Sequence, residues 1–307
     1  MNNLAEAASY AEDHDAHIIG SLWGEVDWMA EKAAEMERRG MCGVELDIGC
    51  PHLDGIHANE SVDKQVDNFL GRCQGVKKIV DACNIPVIVK MSADTGGEWG
   101  PIIQYLKEIG VGGVTVHNRF VGFLPDIETQ HPFLDTWSGV GGPWVVPITC
   151  YRINQVRKLD RNMPILATNG CYDGLDVVRF MLAGASVVQC ASSPLVLGPN
   201  WVKRTLQEFQ AYLDRKEMDA ADLIGKASDS ALTRDQLFEI HRISQVNYEQ
   251  CVGCGICVER CPWEALSLQN GVVTVKPAAE GQHEGCIGCG MCTMVCPRQA
   301  IQVVDRS

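Results

Sequence analysis

A chain of 307 residues with 46% hydrophobic and 21% charged side chains has an ordinary globular balance, with room for one large domain and a small one. Its formal charge of −13 excludes a nucleic-acid surface built on clustered Lys and Arg, and suits solubility or the steering of a basic redox partner. No run of about 18 apolar residues occurs, so no membrane span is expected; the polar, acidic start MNNLAEAASYAEDHD shows no signal-peptide pattern, and a cytoplasmic protein is expected.

In chain order, short Val- and Ile-rich runs alternate with helical patterns up to about residue 200. The runs are 17–22, 43–49, 86–91, 112–119, 164–170 and 186–192, each the mark of a strand buried on both faces. Between the first two, Val26, Met29, Ala30, Ala33 and Met36 share one face of a helix that stops at Gly40. Ile102, Leu106 and Ile109 repeat the pattern before Gly110. The alternation reads as a parallel α/β domain. Six strands are two fewer than a (β/α)₈ barrel needs. The expected organisation is a large domain over 1–215, a polar linker with a short helix over 216–247 and a cysteine module over 248–307.

Eight of the fifteen cysteines lie between Cys251 and Cys296; the rest are scattered singly, as buried thiols are, which points to a reducing, oxygen-poor cytosol. The clustered ones form two runs, Cys251–Cys254–Cys257–Cys261–Pro262 and Cys286–Cys289–Cys292–Cys296–Pro297, both C-x₂-C-x₂-C-x₃-C-P. This is the spacing of bacterial ferredoxins holding two [4Fe–4S] clusters, in which the fourth Cys ligates the other cluster. Cluster one is therefore assigned to Cys251, Cys254, Cys257 and Cys296, and cluster two to Cys286, Cys289, Cys292 and Cys261. Zinc knuckles favour two C-x₂-C pairs and do not explain the triplets followed by C-P. Asn270-Gly271, between LSLQ and VVTVK, is the signal for a type I′ hairpin joining the two halves.

The large domain carries Gly43-Val-Glu-Leu-Asp47-Ile-Gly-Cys50-Pro51-His52 at the end of its second strand. A Cys at the C-terminal end of a barrel strand sits on the catalytic face; read alone, a buried thiol is the better explanation. From about residue 17 to 213 the chain resembles the flavin-dependent dihydroorotate and dihydropyrimidine dehydrogenases, FMN-binding (β/α)₈ barrels with an N-L-S-C-P-[NH] signature. The resemblance rests on Cys50-Pro51-His52, Val89-Lys90-Met91, Val114–Asn118, Ser138–Gly142 with Pro147-Ile148, Pro164–Gly170 and Val188–Ser192, all in order. The dihydropyrimidine branch also ends in a double-cluster ferredoxin module.

The resemblance implies a TIM-type barrel and chemistry on CH–CH groups. Cys50 would exchange a proton with one carbon of a C=C bond beside a carbonyl, while FMN exchanges a hydride with the next. Lys90 and Asn118 would contact the flavin, and backbone at Gly141, Gly142, Asn169, Gly170, Ala191 and Ser192 would cradle its phosphate. Asp47, His52, Asn118 and Arg119 would face substrate; His52 and His57 are secondary proton donors. Asp47 and Gly49 stand where the family has Asn and Ser, and Arg119 where it has a small hydroxyl. These departures argue against uracil, thymine or dihydroorotate and allow Arg119 to pair with a substrate carboxylate or, equally, to form a surface ion pair. The aromatic stretch after Arg119 is expected to line the pocket or to pack.

The family's first two β/α units have no counterpart. Another polypeptide completing the barrel and a start downstream of the real one are the favoured explanations; a degenerate open barrel is the third. With no G-x-G-x-x-G after a strand, the expected electron partner is an FAD/NAD(P)H-binding subunit, a ferredoxin or a flavodoxin. The alternative function is an electron-transfer or assembly subunit with a non-catalytic barrel.

Overall fold

The computed structural model describes residues 9–11, 13–14, 16–48, 71, 73–92, 99–232, 242–278 and 285–305. The chain divides into two compact units, Met1–Ser230 and Ala231–Ser307. Among the described residues no helix is long and apolar enough to cross a membrane.

In the first unit the elements run β1 (Ile19–Leu22), α1 (Val26–Arg38), β2 (Gly43–Asp47), β3 (Val87–Lys90), α2 (Trp99–Glu108) and β4 (Gly113–Thr115). There follow a two-stranded antiparallel ribbon of β5 (Phe120–Gly122) and β6 (Ser138–Val140), then α3 (Val146–Leu159) and β7 (Ile165–Ala167). The unit continues with α4 (Gly174–Ala183), β8 (Val187–Val188), α5 (Ser192–Leu197) and α6 (Trp201–Lys216). Six strands form one parallel sheet in the order β1-β2-β3-β4-β7-β8. All six are those read from the sequence. Each strand lies beside the next through helical crossovers, which is the wall of a partial TIM-type barrel.

Alternation of side chains gives the sheet two unlike faces. Val44, Leu46, Val87, Val89, Val114, Val116, Ile165 and Ala167 point outward and share a core with Met29 and Ala33 of α1, Ile102 and Leu106 of α2 and Ile153 of α3. The opposite face carries Glu45, Asp47, Lys90 and Thr115, so burial on both faces is achieved with polar groups inside. Helix α4 starts sharply because the Asp173 carboxylate accepts from the backbone N–H groups of Leu175 and Asp176. In the stretch after Arg119, Phe123, Leu124, Ile127 and Phe133 are exposed, whereas Phe120 and Trp137 are half-buried. Phe120 makes ring contacts with His117 and Trp144.

Residues 216–247, expected to be a linker, contribute to both units. A 3₁₀ turn at Ala220–Leu223 is held by a reciprocal Asp219–Asp222 cap. It inserts Leu223 against Val178, Met181 and Leu213, where Leu223 is fully buried. A single apolar anchor in a polar stretch leaves no periodicity to read.

The second unit contains β9 (Arg242–Val246), α7 (Ile256–Glu259), β10 (Leu266–Gln269), β11 (Val272–Val275), α8 (Met291–Val295) and β12 (Ile301–Asp305). β10 and β11 form an antiparallel hairpin, and β9 pairs antiparallel with β12. Asn270 and Gly271 both have positive φ, 53° and 76°, as a type I′ turn requires. The core of this unit is small: Val246, Ala265, Leu266, Val273 and Ile301 pack with Cys257, Cys286 and Cys292.

Candidate active site and cluster sites

A cavity of about 660 Å³ opens where the strands of the sheet end. This lies within the size range of small-ligand and cofactor pockets, roughly 300–1,000 Å³. Asp47, Lys90, Asn118, Arg119, Gly141, Gly142, Asn169, Gly170, Ala191 and Ser192 all line it. They come from strand ends and loops spread over 146 positions of the chain, from Asp47 to Ser192. Cys50, His52 and His57 lie outside the described residues.

Glu45, only 6% exposed, holds two residues that line the cavity, Lys90 and Gln189. Asp47 is the register partner of Lys90, and Lys90 of Thr115, so all three share the inner face with Glu45. One Glu45 oxygen accepts from the Thr115 hydroxyl and from the Gln189 amide, both at 2.6 Å. The other faces the Lys90 ammonium at 3.3 Å. Both oxygens of this buried side chain thus have a donor within reach. Sequence reasoning missed Glu45 and Gln189; the available signal was a charged residue at an inward position of the apolar strand GVELD.

Above this layer Asn118 donates from Nδ2 to both oxygens of Asp47, at 2.9 and 3.1 Å. Its own Oδ1 accepts from the Arg119 backbone N–H at 2.9 Å. Asn169 Nδ2 donates to the Asn118 carbonyl at 3.1 Å, tying two strand ends together. His117, fully buried, donates from Nδ1 to the same carbonyl at 2.7 Å and places Nε2 at 3.0 Å from Thr149 Oγ1. Burial pulls the His117 pKa below its ordinary value, so the ring is neutral at pH 7. Arg119 lies across Gly139, where an added Cβ would approach its Nε to 3.0 Å.

The glycines are required by close approach. Gly170 has φ of 94°, and a Cβ there would come to 3.0 Å of the Val146 backbone nitrogen. A Cβ on Gly141 would meet Asn169 Oδ1 at 3.1 Å. Two of the singly scattered cysteines also meet on this wall. Cys171 and Cys190 both line the cavity and hydrogen-bond each other, which raises the pKa of Cys171 and lowers that of Cys190.

In the second unit the eight clustered cysteines separate into two groups. Cys251, Cys254, Cys257 and Cys296 line one small cavity; Cys261, Cys286, Cys289 and Cys292 line another. The fourth Cys of each run thus stands with the triplet of the other run, in the crossed arrangement read from the spacing. Backbone N–H groups point at the sulfurs: Ala265 at Cys261 (3.4 Å), Ala300 at Cys296 (3.3 Å) and Ser244 at Cys286 (3.3 Å). Such donors suit thiolates that carry the negative charge of an iron–sulfur cubane.

The fold and the two kinds of site define an α/β-barrel enzyme class fused to an iron–sulfur module, and comparison with known proteins agrees. Residues 1–213 match the family model described as dihydroorotate dehydrogenase, and residues 250–301 match the 4Fe-4S dicluster domain. The catalytic subunit of dihydroorotate dehydrogenase B (NAD(+)) from Methanocaldococcus jannaschii is 31% identical over 219 residues, covering 70% of this chain and 68% of that protein. Dihydroorotate dehydrogenase A (fumarate) from Limosilactobacillus reuteri is 27% identical over 192 residues, 62% of this chain and 56% of that protein. The dihydroorotate dehydrogenase B (NAD(+)) catalytic subunit of Listeria monocytogenes is 28% identical over 188 residues, 60% of each. The chain belongs to the dihydroorotate dehydrogenase family and carries an iron–sulfur domain after the barrel. It spans between 56% and 68% of the length of these relatives.

Proposed function

We propose that this chain is a flavin- and iron–sulfur-dependent oxidoreductase, or the catalytic subunit of one, that reduces or forms a C=C bond next to a carbonyl. The observation that supports this reading is the convergence of Lys90, Asn118 and the Gly141–Gly142, Asn169–Gly170 and Ala191–Ser192 backbone on one cavity. Glycines at 141 and 170 let the backbone pack close against Asn169 and Val146, the tight backbone arrangement that a phosphate cradle uses. The residues present therefore fit FMN. When bound, FMN supplies the hydride half of the chemistry. Lys90 would hold the edge of the ring with its charge, and the 141–142, 169–170 and 191–192 segments would hold the phosphate.

Cys50 is the proposed proton donor and acceptor, with a thiol suited to general acid work when its pKa lies near the working pH. Asp47, Asn118 and Arg119 would orient substrate, with His52 beside them. Asp47 is acceptor-only and engaged with Asn118, whereas Arg119 is donor-only, a pattern that fits a substrate carboxylate better than a neutral pyrimidine. Two [4Fe–4S] clusters, on the two cysteine sets, would relay electrons to a partner. An FAD/NAD(P)H-binding subunit is preferred over ferredoxin or flavodoxin, because two of the relatives are named NAD(+)-type catalytic subunits. Ile19 and Val187, exposed on the inner face of the two edge strands, offer a surface for a further chain that completes the barrel.

The test is Cys50→Ser in complex prepared without air, assayed with its own electron donor against a panel of unsaturated acids and cyclic amides. Loss of turnover by at least about 100-fold with flavin and iron retained is expected. Unchanged turnover would leave the barrel a scaffold for electron transfer.

A further inference from the structure

The two cluster cavities correspond at nine positions of the two runs. Cys251, Val252, Cys254, Ile256, Cys257, Cys296, Pro297, Arg298 and Ile301 of the first match Cys286, Ile287, Cys289, Met291, Cys292, Cys261, Pro262, Trp263 and Leu266 of the second. The match extends to the strand behind each cavity. β11 contributes Val273 to the first, and β9 contributes Ser244 to the second. Both side chains are buried, at 1% and 4% exposure. One half thus presents an isopropyl group where the other presents a hydroxyl.

The hydroxyl is in contact with the ligands. Ser244 Oγ lies 3.0 Å from Cys292 Sγ, and the Ser244 backbone N–H reaches Cys286 Sγ at 3.3 Å. A thiolate sulfur bound to iron has no proton to give, so there Ser244 must be the donor. Reduction adds negative charge that spreads onto the sulfurs, and a donor hydrogen bond stabilises that state more than the oxidised one. Valine offers no such bond. Donors to the fourth cysteines, from Ala265 and Ala300, are the same in both halves and cancel. Arg298, standing where the second half has Trp263, pulls the other way; its side chain is solvent-exposed, and water screens its charge.

Resting on the two-cluster reading, we infer that Ser244 gives the cluster held by Cys261, Cys286, Cys289 and Cys292 the more positive potential of the pair. With both clusters bound, an electron shared between them would rest mainly on the Cys261–Cys286–Cys289–Cys292 centre.

The experiment is a redox titration followed by electron paramagnetic resonance on the full chain, reconstituted with iron and sulfide without air. In Ser244→Ala the ratio of reduced to oxidised higher-potential cluster at fixed potential is expected to fall about tenfold, or about 59 mV for one electron. Ser244→Thr keeps the hydroxyl and is expected to keep both midpoints. Val273→Ser is expected to raise the lower midpoint, an outcome readable even if Ser244→Ala does not assemble. The double variant Ser244→Ala/Val273→Ser is expected to invert the order in which the centres fill. Unchanged midpoints in Ser244→Ala, or in Val273→Ser, overturn the inference while leaving two clusters in place. Iron and sulfide too low for two cubanes in the unaltered chain overturn the cluster reading itself.

Discussion

The two units keep their chemistry in different places relative to their cores. In the barrel unit the apolar side chains lie between sheet and helices, while Glu45, Lys90, Thr115 and Gln189 occupy the other face. Site and core are separate layers. In the cluster unit Cys257, Cys286 and Cys292 belong to the core itself, packed with only a handful of aliphatic residues. With so few aliphatic residues beside the cysteines, cluster binding is expected to contribute much of this unit's stability. On the proposed function, the barrel unit is expected to stay folded without flavin, whereas the cluster unit is expected to unfold without iron.

The sharpest way to break that contrast is to remove the iron. Chelation, or Cys257→Ser with Cys292→Ser, is expected to make residues 242–305 fully protease-sensitive while the thermal transition of the barrel unit stays in place. A cluster unit that survives as a cooperative fold would put the two units on the same footing.

A smaller effect is expected within the polar layer. Glu45→Gln strips the Lys90 ammonium of its partner in a mostly buried setting and should cost the barrel unit about 3 kcal/mol in denaturant unfolding. Glu45→Gln with Lys90→Met should cost less than Glu45→Gln alone, because no charge is left stranded. Additive losses would show that the two side chains do not act as a pair.

The smallest effect is a pH dependence. His117 is held neutral by burial, and its folded pKa lies below the ordinary value of about 6.5. Below pH 6.5 the unfolded chain takes up a proton that the folded chain refuses, so the stability contributed above that pH is lost as pH falls toward the folded value. The loss is at most about 1.4 kcal/mol per pH unit, and His117→Gln should flatten it in urea titrations read at the barrel unit. A barrel unit equally stable from pH 7 to 5 in the unaltered chain would remove His117 from this account.

What could be read from the sequence follows the same division. The crossed cysteine sets and the Asn270-Gly271 turn are local patterns, fixed by spacing and by backbone conformation over a few residues. The six barrel strands were legible because each is a short β-branched run, and the cavity residues through the motifs the chain shares with the flavin-dependent dehydrogenases it resembles. Glu45 was not, since its partner Gln189 lies 144 residues away and only the closing of the sheet brings them together. The Cys171–Cys190 contact escaped for the same reason. Ser244 escaped differently: a serine in a polar-looking strand has no pattern until the pseudo-symmetric Val273 is set beside it.

The account stands on flavin working in the barrel cavity while two cubanes occupy the second unit. Quantifying flavin and iron in the chain purified without air from its native host tests this most directly. About one FMN and about eight iron atoms per chain are expected, with the flavin lost and the iron kept in a Gly170→Val variant, whose side chain would collide with the Val146 backbone and displace the 169–170 segment. Eight iron atoms without any flavin, in the unaltered chain and in every complex that contains it, would contradict the account and leave only an electron relay.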